Sequence, residues 1–250
     1  MRNIRIDIQY LGTRYRGWQI QAEGPTIQGE IEQAIQKVTQ EPVRVIGSGR
    51  TDAGVHAIRQ VANFHTQTKI PLTNLQKALN SLLPDDISII GIEEVPCWFH
   101  ARKNAKKKAY LYKIMESPFK LPLALHRAWV LAPGLEIEQI SQACAYLVGT
   151  HDFKGLQKSG SSVKTTVRTI YECRLEIHTF PLTRTPCIEF HVAANGFLRY
   201  MVRNIVGLLV EIGRGRLLPS DVLEILRKGS RIFPFQTAPP HGLYLRDVYY

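Results

Sequence analysis

The chain begins with apolar and polar residues in alternation. Ile4, Ile6 and Ile8 are separated by polar residues, which predicts a half-buried β-strand. Beyond residue 25 the apolar residues recur every three or four positions, as on one face of a helix, and Thr26 precedes them as a candidate N-cap. In order, we expect a strand near 3–10, a helix near 26–40, strands near 42–47 and 58–66, a helix near 73–83 and a strand near 86–94. The first half therefore has the element order βαββαβ.

The second half repeats this order. We expect a strand near 107–115, a helix near 136–148, a hairpin of strands near 167–177 and 188–194 with its turn at 181–186, helices near 199–213 and 220–228, and a strand near 242–249. This order is the split-βαβ, ferredoxin-like plan, in which helices cover one sheet face. The fold class is thus α+β, with two ferredoxin-like halves whose sheets lie side by side and form a central cleft. The pattern fades near 100–106, which predicts an N-terminal domain at 1–104 and a C-terminal domain at 105–250.

Composition and charge narrow the class of protein. Of the 250 residues, 44% are hydrophobic and 21% are charged, which excludes collagen-like and wholly disordered chains. The 32 lysines and arginines outnumber the 21 acidic residues and give a formal net charge of +11. This charge makes the cleft basic and predicts a polyanionic partner, with nucleic acid first and an anionic membrane surface second, although solubility alone also accounts for it.

Several locations and chemistries are disfavoured by the sequence. The longest apolar run, near 205–210, is far shorter than the ~18 residues of a membrane span, and the alternating N-terminus is unlike a signal peptide, so we expect a cytoplasmic protein with no membrane partner. No G-x-S-x-G motif indicates a hydrolase. No C-x-x-C pair is present, and we expect four reduced packing cysteines: Cys97, Cys144, Cys173 and Cys187. No paired spacing, and hence no metal site, is seen among His100, His126, His151, His178, His191 and His241.

The densest cluster of unusual residues is the run 47–57, which reads GSGRTDAGVHA. Its three glycines permit close backbone approach around one arginine, Arg50, and one carboxylate, Asp52. The spacing matches neither a dinucleotide-binding nor a phosphate-binding loop. On spacing alone, the simpler interpretation is that Asp52 stabilises a turn.

Two further clusters suit nucleic acid. Residues 99–113 combine six basic residues with Tyr110 and Tyr112 at alternate strand positions, so that lysines neutralise phosphates while a ring stacks on a base. A solvated lysine run beside core tyrosines fits the same pattern. Arg199 and Arg203 are four apart, which predicts one shared helix face near the helix N-terminus. A cation at a helix N-terminus opposes the helix dipole, so its presence indicates an anionic partner. The alternative is that Arg199 and Arg203 are a simple pair of surface arginines.

The run 47–57 resembles the signature loop of the tRNA pseudouridine synthase A family. Further blocks resemble that family in the family's order and extend the resemblance to essentially the whole chain: YLG at 10–12, GWQ at 17–19, LPDD at 83–86, FHAR at 99–102, GTHDF at 149–153, MVRNIVG at 201–207 and APPHGL at 238–243. The resemblance implies the pseudouridine synthase fold and an isomerase that converts uridine to pseudouridine in tRNA.

The resemblance also implies roles for individual residues. Asp52 is expected to be the catalytic carboxylate, Tyr110 to stack on the target uracil, and Arg203 to form a salt bridge with Asp52. Arg50 is expected to help hold the place of the flipped nucleotide, and Leu243 to pack near the site. The basic clusters supply the expected RNA contacts, which are Arg102, Lys106, Lys107, Lys108 and Arg199.

The chain departs from the family pattern at three places that concern the grip on RNA. Leu11 stands where the family usually has aspartate, Tyr200 where histidine is common, and Lys108-Ala109 where paired basic residues often precede the tyrosine.

The resemblance further implies a homodimer that acts on the anticodon stem-loop at conventional tRNA positions 38, 39 and 40. Isomerisation leaves the composition of the RNA unchanged, so we expect no cofactor. From the residues alone, a non-catalytic RNA-binding protein and a nucleoside glycosidase remain alternatives.

Overall fold

The computed structural model describes residues 1–158, 160, 163–180 and 185–250. These fall into two compact units, the first made of Met1–Lys106 together with Tyr244–Tyr250, and the second of Lys107–Leu243. Both units mix helices and strands, in agreement with the expected α+β class. Every helix in the described ranges is too short or too polar to cross a bilayer.

The first unit is built from two helices and an antiparallel sheet. Its elements are β1 (Arg2–Tyr10), α1 (Ile27–Thr39), β2 (Ile46–Gly47), β3 (His56–Thr66), α2 (Leu72–Leu82) and β4 (Ile87–Val95). The strand order is β4-β1-β3-β2, and each of these neighbouring pairs is antiparallel. This is the arrangement of a split βαβ sheet, so the predicted βαββαβ order is confirmed in this unit.

Alternation and helical spacing supply the core of this unit. Three isoleucines of β1 and three of α1 are fully buried: Ile4, Ile6, Ile8, Ile27, Ile31 and Ile35. α1 packs against α2, and α2 packs against β4. Thr26 caps α1 as predicted, because its Oγ1 accepts the Gly29 N–H at 3.2 Å.

Removing this cap has a measurable expected cost. Thr26→Ala should lower the free energy of unfolding by about 1 kcal/mol, because the Gly29 N–H loses its acceptor at a buried position. Urea unfolding of the full chain measures the change. Thr26→Ser keeps the hydroxyl and should stay within about 0.5 kcal/mol of the parent protein. Equal losses in both variants would attribute the effect to the threonine methyl group instead.

The second unit contains a longer run of elements. They are β5 (Lys107–Glu116), β6 (Trp129–Leu131), α3 (Ile137–Leu147), β7 (Gly149–Asp152), β8 (Val167–Phe180), β9 (Thr185–Ala194), α4 (Met201–Gly213) and α5 (Asp221–Lys228), followed by the boundary strand β10 (Leu243–Tyr249). The order β5-β9-β8-β7 is antiparallel throughout, and β6 pairs in parallel with β5. The predicted hairpin is confirmed as β8 and β9, while residues 181–184 of its turn lie outside the described residues.

The last strand departs from the expected ranges. Tyr244–Tyr250 belong to the first unit, where β10 pairs in parallel with β3 at Tyr244–His56 and Leu245–Ala57. The chain end is held there by side chains as well, since the Tyr250 hydroxyl donates to the Ala101 carbonyl at 2.8 Å. The two short strands β6 and β7 were not expected, because three or four residues are too few to show a period.

Two local expectations were wrong. Arg199 is not in the first turn of α4, because Tyr200 adopts a left-handed backbone with φ +66° and the helix begins at Met201. Cys97 is exposed, whereas Cys144, Cys173 and Cys187 are buried as expected, and all four are free thiols.

Candidate active site

The loop between β2 and β3 carries Asp52 and is fixed at its start by buried polar groups. The Ser48 N–H donates to the Val61 carbonyl at 2.8 Å, and the Ser48 hydroxyl donates to Gln60 Oε1 at 2.6 Å. The Gln60 amide in turn donates to the Gly49 carbonyl at 3.0 Å. Ser48 and Gln60 are fully buried, so these hydrogen bonds hold the loop backbone without competition from water.

The segment after β1 holds the middle of the loop. The Tyr10 hydroxyl and Thr51 Oγ1 are 2.8 Å apart, and the Trp18 N–H donates to the Thr51 carbonyl at 3.1 Å. Burial raises the pKa of Tyr10 well above its ordinary range, so its hydroxyl stays neutral. The sequence blocks 10–12 and 17–19, which are far from the loop along the chain, thus contribute residues that hold the loop at Thr51.

A glycine makes this close approach of two backbones feasible. Gly17 has φ +94°, and a Cβ on it would lie 2.5 Å from the Thr51 carbonyl oxygen. Both the left-handed backbone and the lack of space require glycine. The glycine of the GWQ block is therefore required for the close packing of this segment against the loop.

Asp52 itself lies at a turn with its side chain half-buried. The turn is closed by its backbone carbonyl, which accepts the Val55 N–H at 3.1 Å. The backbone of Asp52 therefore closes the turn. Thr51 and Val55 on either side are buried, and Arg50 is exposed.

In the second unit, the two tyrosines of β5 differ in environment. Tyr112 is fully buried and its hydroxyl donates to the Pro239 carbonyl at 2.9 Å. Tyr110 is half-buried, and its ring meets Phe197 edge to face with the ring centres 5.0 Å apart. A ring held by such a contact is oriented while part of its surface remains accessible.

Arg203 is held in place in the first turn of α4. Its Nε donates to the Ala238 carbonyl at 2.7 Å, and the Ala238 N–H donates back to the Arg203 carbonyl at 3.1 Å. Its guanidinium lies 4.6 Å from the centre of the Tyr200 ring. This reciprocal pair of hydrogen bonds joins α4 to the APPHGL block.

The Tyr200 ring gathers three cations, a grouping that the sequence analysis missed. Lys158 Nζ lies 5.1 Å and the Arg199 guanidinium 5.6 Å from the ring centre, beside Arg203. Each contact is a cation–π interaction, which offsets part of the repulsion among the three positive charges. Lys158 is remote in sequence from the others, so no local pattern reveals it.

The remaining candidates are distributed as follows. Leu243 is buried at the start of β10. Arg102, Lys106 and Arg199 are exposed, and Lys107 and Lys108 are half-buried on β5. Asp52 and Arg50 thus belong to the first unit, and Tyr110, Arg203 and Leu243 to the second.

Comparison with known proteins gives consistent results. A family model described as tRNA pseudouridine synthase matches residues 7–102 and 143–250. The chain is 45% identical over 250 residues to tRNA pseudouridine synthase A of Thermoanaerobacter sp. (strain X514), with 100% of both chains covered. It is 46% identical over 252 residues to tRNA pseudouridine synthase A 2 of Clostridium perfringens (strain 13 / Type A), again with 100% of both chains covered.

A solved structure shows a weaker likeness. In the crystal structure of a Cbf5-Nop10-Gar1 complex, the similar chain has 17% sequence identity and a TM-score of 0.36, over 83% of this chain and 45% of that one.

Proposed function

The chain belongs to the tRNA pseudouridine synthase family, and from that premise we propose that it isomerises uridine at positions 38, 39 and 40 of the tRNA anticodon stem-loop, with Asp52 as catalytic carboxylate. Membership makes the protein an isomerase that acts on tRNA uridine. The specificity and the residue roles are the proposal. The observation that supports it is the loop at 48–55, in which buried polar groups hold the backbone and the turn carries a half-buried carboxylate, that of Asp52.

The chemistry needs few groups. The C1′–N1 bond of uridine breaks, the freed uracil turns, C5 bonds to C1′, the C5 proton leaves and N1 gains a proton, so nothing is oxidised and no co-reactant is consumed. One carboxylate suffices, either as a nucleophile at C1′ or as a base that removes a sugar proton. The proposal assigns one of these two steps to Asp52.

Arg203 is proposed as the positive partner of this carboxylate. A cation near a carboxylate favours its ionised form, which either of the two steps requires. The support on this side is the pair of hydrogen bonds to Ala238, which limits the positions that the guanidinium can take. Arg50 and Leu243 are proposed to bind the nucleotide, and the exposed and half-buried basic residues named above to bind phosphates.

Tyr110 is proposed to stack on the flipped uracil, and its replacement has a graded expected effect. Tyr110→Ala should lower kcat/KM by about 5–150-fold, because a stacked base contributes about 1–3 kcal/mol. Tyr110→Phe keeps the ring and its edge contact with Phe197, and should keep most of the activity. Single-turnover kinetics on tRNA measures both variants. Equal losses in the two would assign the effect to the hydroxyl and contradict stacking.

The assay that tests the function uses tRNA transcripts with tritium at uridine C5. We expect the protein to release tritium, and to release none when cytidine replaces uridine at positions 38, 39 and 40. Release from such transcripts would place the target elsewhere in tRNA. Free uracil among the products would instead identify a glycosidase.

The assembly and location of the protein are part of the same proposal. We propose a homodimer in the cytoplasm, where tRNA is modified. The mass of the free protein in solution tests the dimer, and a monomeric mass together with full activity would contradict it.

A further inference from the structure

A second group of titratable side chains lies on the β8–β9 hairpin of the second unit and includes none of the residues assigned above. Each strand carries the pattern Glu-x-His, at Glu176 and His178 in β8 and at Glu189 and His191 in β9. The register sets Glu176 directly opposite Glu189. Residues two apart share a strand face, so all four side chains project from one face of the hairpin. We call these four residues the Glu-His cluster.

Three donor atoms of the Glu-His cluster converge, because the ligand atoms of Glu176, Glu189 and His191 all lie within 4.8 Å of one another. His178 Nε2 lies 3.1 Å from Glu176 Oε2 and 3.9 Å from Glu189 Oε2. His191 Nε2 lies 3.4 Å from Glu176 Oε2 and 3.7 Å from Glu189 Oε2. A tetrahedral zinc site with bonds of about 2.1 Å has ligand atoms about 3.4 Å apart. The two distances from His191 lie close to that value, whereas His178 is not among the three residues whose ligand atoms all lie within 4.8 Å of one another, so His178 is an outer partner.

Outer contacts orient both carboxylates. Glu176 uses its other oxygen, Oε1, to pair with Arg174, and Glu189 Oε1 lies 3.0 Å from Lys113 Nζ. Each glutamate therefore turns Oε2 toward the imidazoles. Partners of this kind around metal ligands fix the ligand orientation and commonly accompany genuine sites. Only 8% of the His191 side chain is exposed, whereas 53% of His178 is exposed, so the cluster has a rigid inner ligand and an open outer side.

Charge favours a divalent cation over an empty cluster. Two carboxylates directly opposite one another on paired strands repel. Arg174 and Lys113 offset part of this repulsion from outside. One imidazole nitrogen, that of His191, with two carboxylate oxygens forms a donor set suited to zinc and its neighbours among the transition metals, with a fourth position for water. The cluster faces away from α3, since Cys173, which alternates with Arg174, hydrogen-bonds Cys144 of that helix.

We propose that the Glu-His cluster binds one divalent transition-metal ion of the zinc class, which links β8 to β9. The site is independent of the catalytic proposal and takes no part in the isomerisation. Its role is to join two neighbouring strands through their side chains.

The test uses the full-length, untagged protein after removal of metals with a chelator. Zn²⁺ is titrated in by calorimetry and in competition with a chromogenic chelator, and Co²⁺ is added separately to read the coordination geometry from its visible spectrum. We expect one equivalent of metal per chain, a four-coordinate Co²⁺ spectrum and a rise in Tm that the chelator reverses. His178→Ala removes the outer partner of Glu176 and should weaken binding by about 10–100-fold.

Controls separate the cluster from other sites. His151→Ala removes a histidine of the same unit outside the cluster and should leave affinity unchanged. Glu189→Gln replaces one ligand by a near-isostere and should weaken binding while Tm without metal stays close to that of the parent. The proposal is overturned if the untagged protein takes up no Zn²⁺, or if His178→Ala and Glu189→Gln both bind it as tightly as the parent does. If chemical blocking of the exposed Cys97 thiol abolished Zn²⁺ binding, the metal would be bound at Cys97, and the proposal would also be overturned.

Discussion

Asp52→Asn is expected to abolish pseudouridine formation while tRNA binding is retained. The amide has nearly the shape of the carboxylate but neither attacks C1′ nor accepts a proton at neutral pH. Loss of a group that carries the chemistry costs at least about 10⁴-fold in kcat, which exceeds any binding contribution assigned here. Tritium release under single-turnover conditions measures the rate, and a filter-binding titration measures the affinity.

The Asp52→Asn substitution changes the carboxylate and keeps the backbone hydrogen bond of the turn. The turn at Asp52 is closed by its backbone carbonyl, which the substitution leaves intact, so the loop should keep its backbone conformation, and circular dichroism checks that the protein is folded. Glu23→Gln makes the same chemical change at an exposed position of the same unit and should leave turnover unaltered. A folded Asp52→Asn protein that turned over at even a hundredth of the parental rate would remove Asp52 from the chemistry.

Gly207→Ala is expected to give the largest loss of stability among single methyl additions. A Cβ at Gly207 would lie 1.8 Å from the carbonyl oxygen of Gln236 and 3.0 Å from its carbon. Alanine in place of glycine within a helix normally gains about 1 kcal/mol. Here the clash with backbone should reverse that gain and lower the free energy of unfolding by about 3 kcal/mol or more. Urea denaturation measures the change.

The same substitution should also disturb the position of the Arg203 side chain. To admit the methyl group, the 236–238 segment has to move away from α4, and the Ala238 carbonyl is the acceptor of Arg203 Nε. We therefore expect turnover to fall even where the protein is still folded. Gly196→Ala is the matched control, because its Cβ would lie an ordinary 3.7 Å from Arg168 Nε, and its stability should change by no more than about 0.5 kcal/mol. Parental stability in Gly207→Ala would show that α4 does not pack this tightly on 236–238.

Local patterns were sufficient for most elements of the fold. The alternation of Ile4, Ile6 and Ile8 and the helical spacing around Thr26 are set by neighbours a few residues away, and both were predicted correctly. The run 47–57 could likewise be singled out, because its glycines and charges are contiguous. What the sequence did not show is how Tyr10 and Trp18 hold this loop, since that depends on β1 lying next to β3.

Other features escaped because they depend on distant partners. The end of the chain belongs with the first unit through contacts of Tyr250 and Asp247 with residues more than a hundred positions earlier. Tyr200 takes a left-handed backbone that no helical periodicity indicates, which displaced Arg199 from the predicted helix. The two Glu-x-His patterns stayed unnoticed because spacing was judged along one strand, whereas the register of two strands brings them together.

The division of the chain has a consequence for its biosynthesis. Residues 107–243 are inserted, in sequence, between the two parts of the first unit. His56, where the 47–57 loop enters β3, accepts the Gly12 N–H at 2.9 Å and has Tyr244 as its partner in β10, so its first contact forms early in synthesis and its second forms late. A ribosome has to translate the whole insert before that parallel pairing forms. In a nascent chain the loop thus lies beside a β3 edge that has no β10 partner yet, and the first unit is completed only when residues 244–250 have been made.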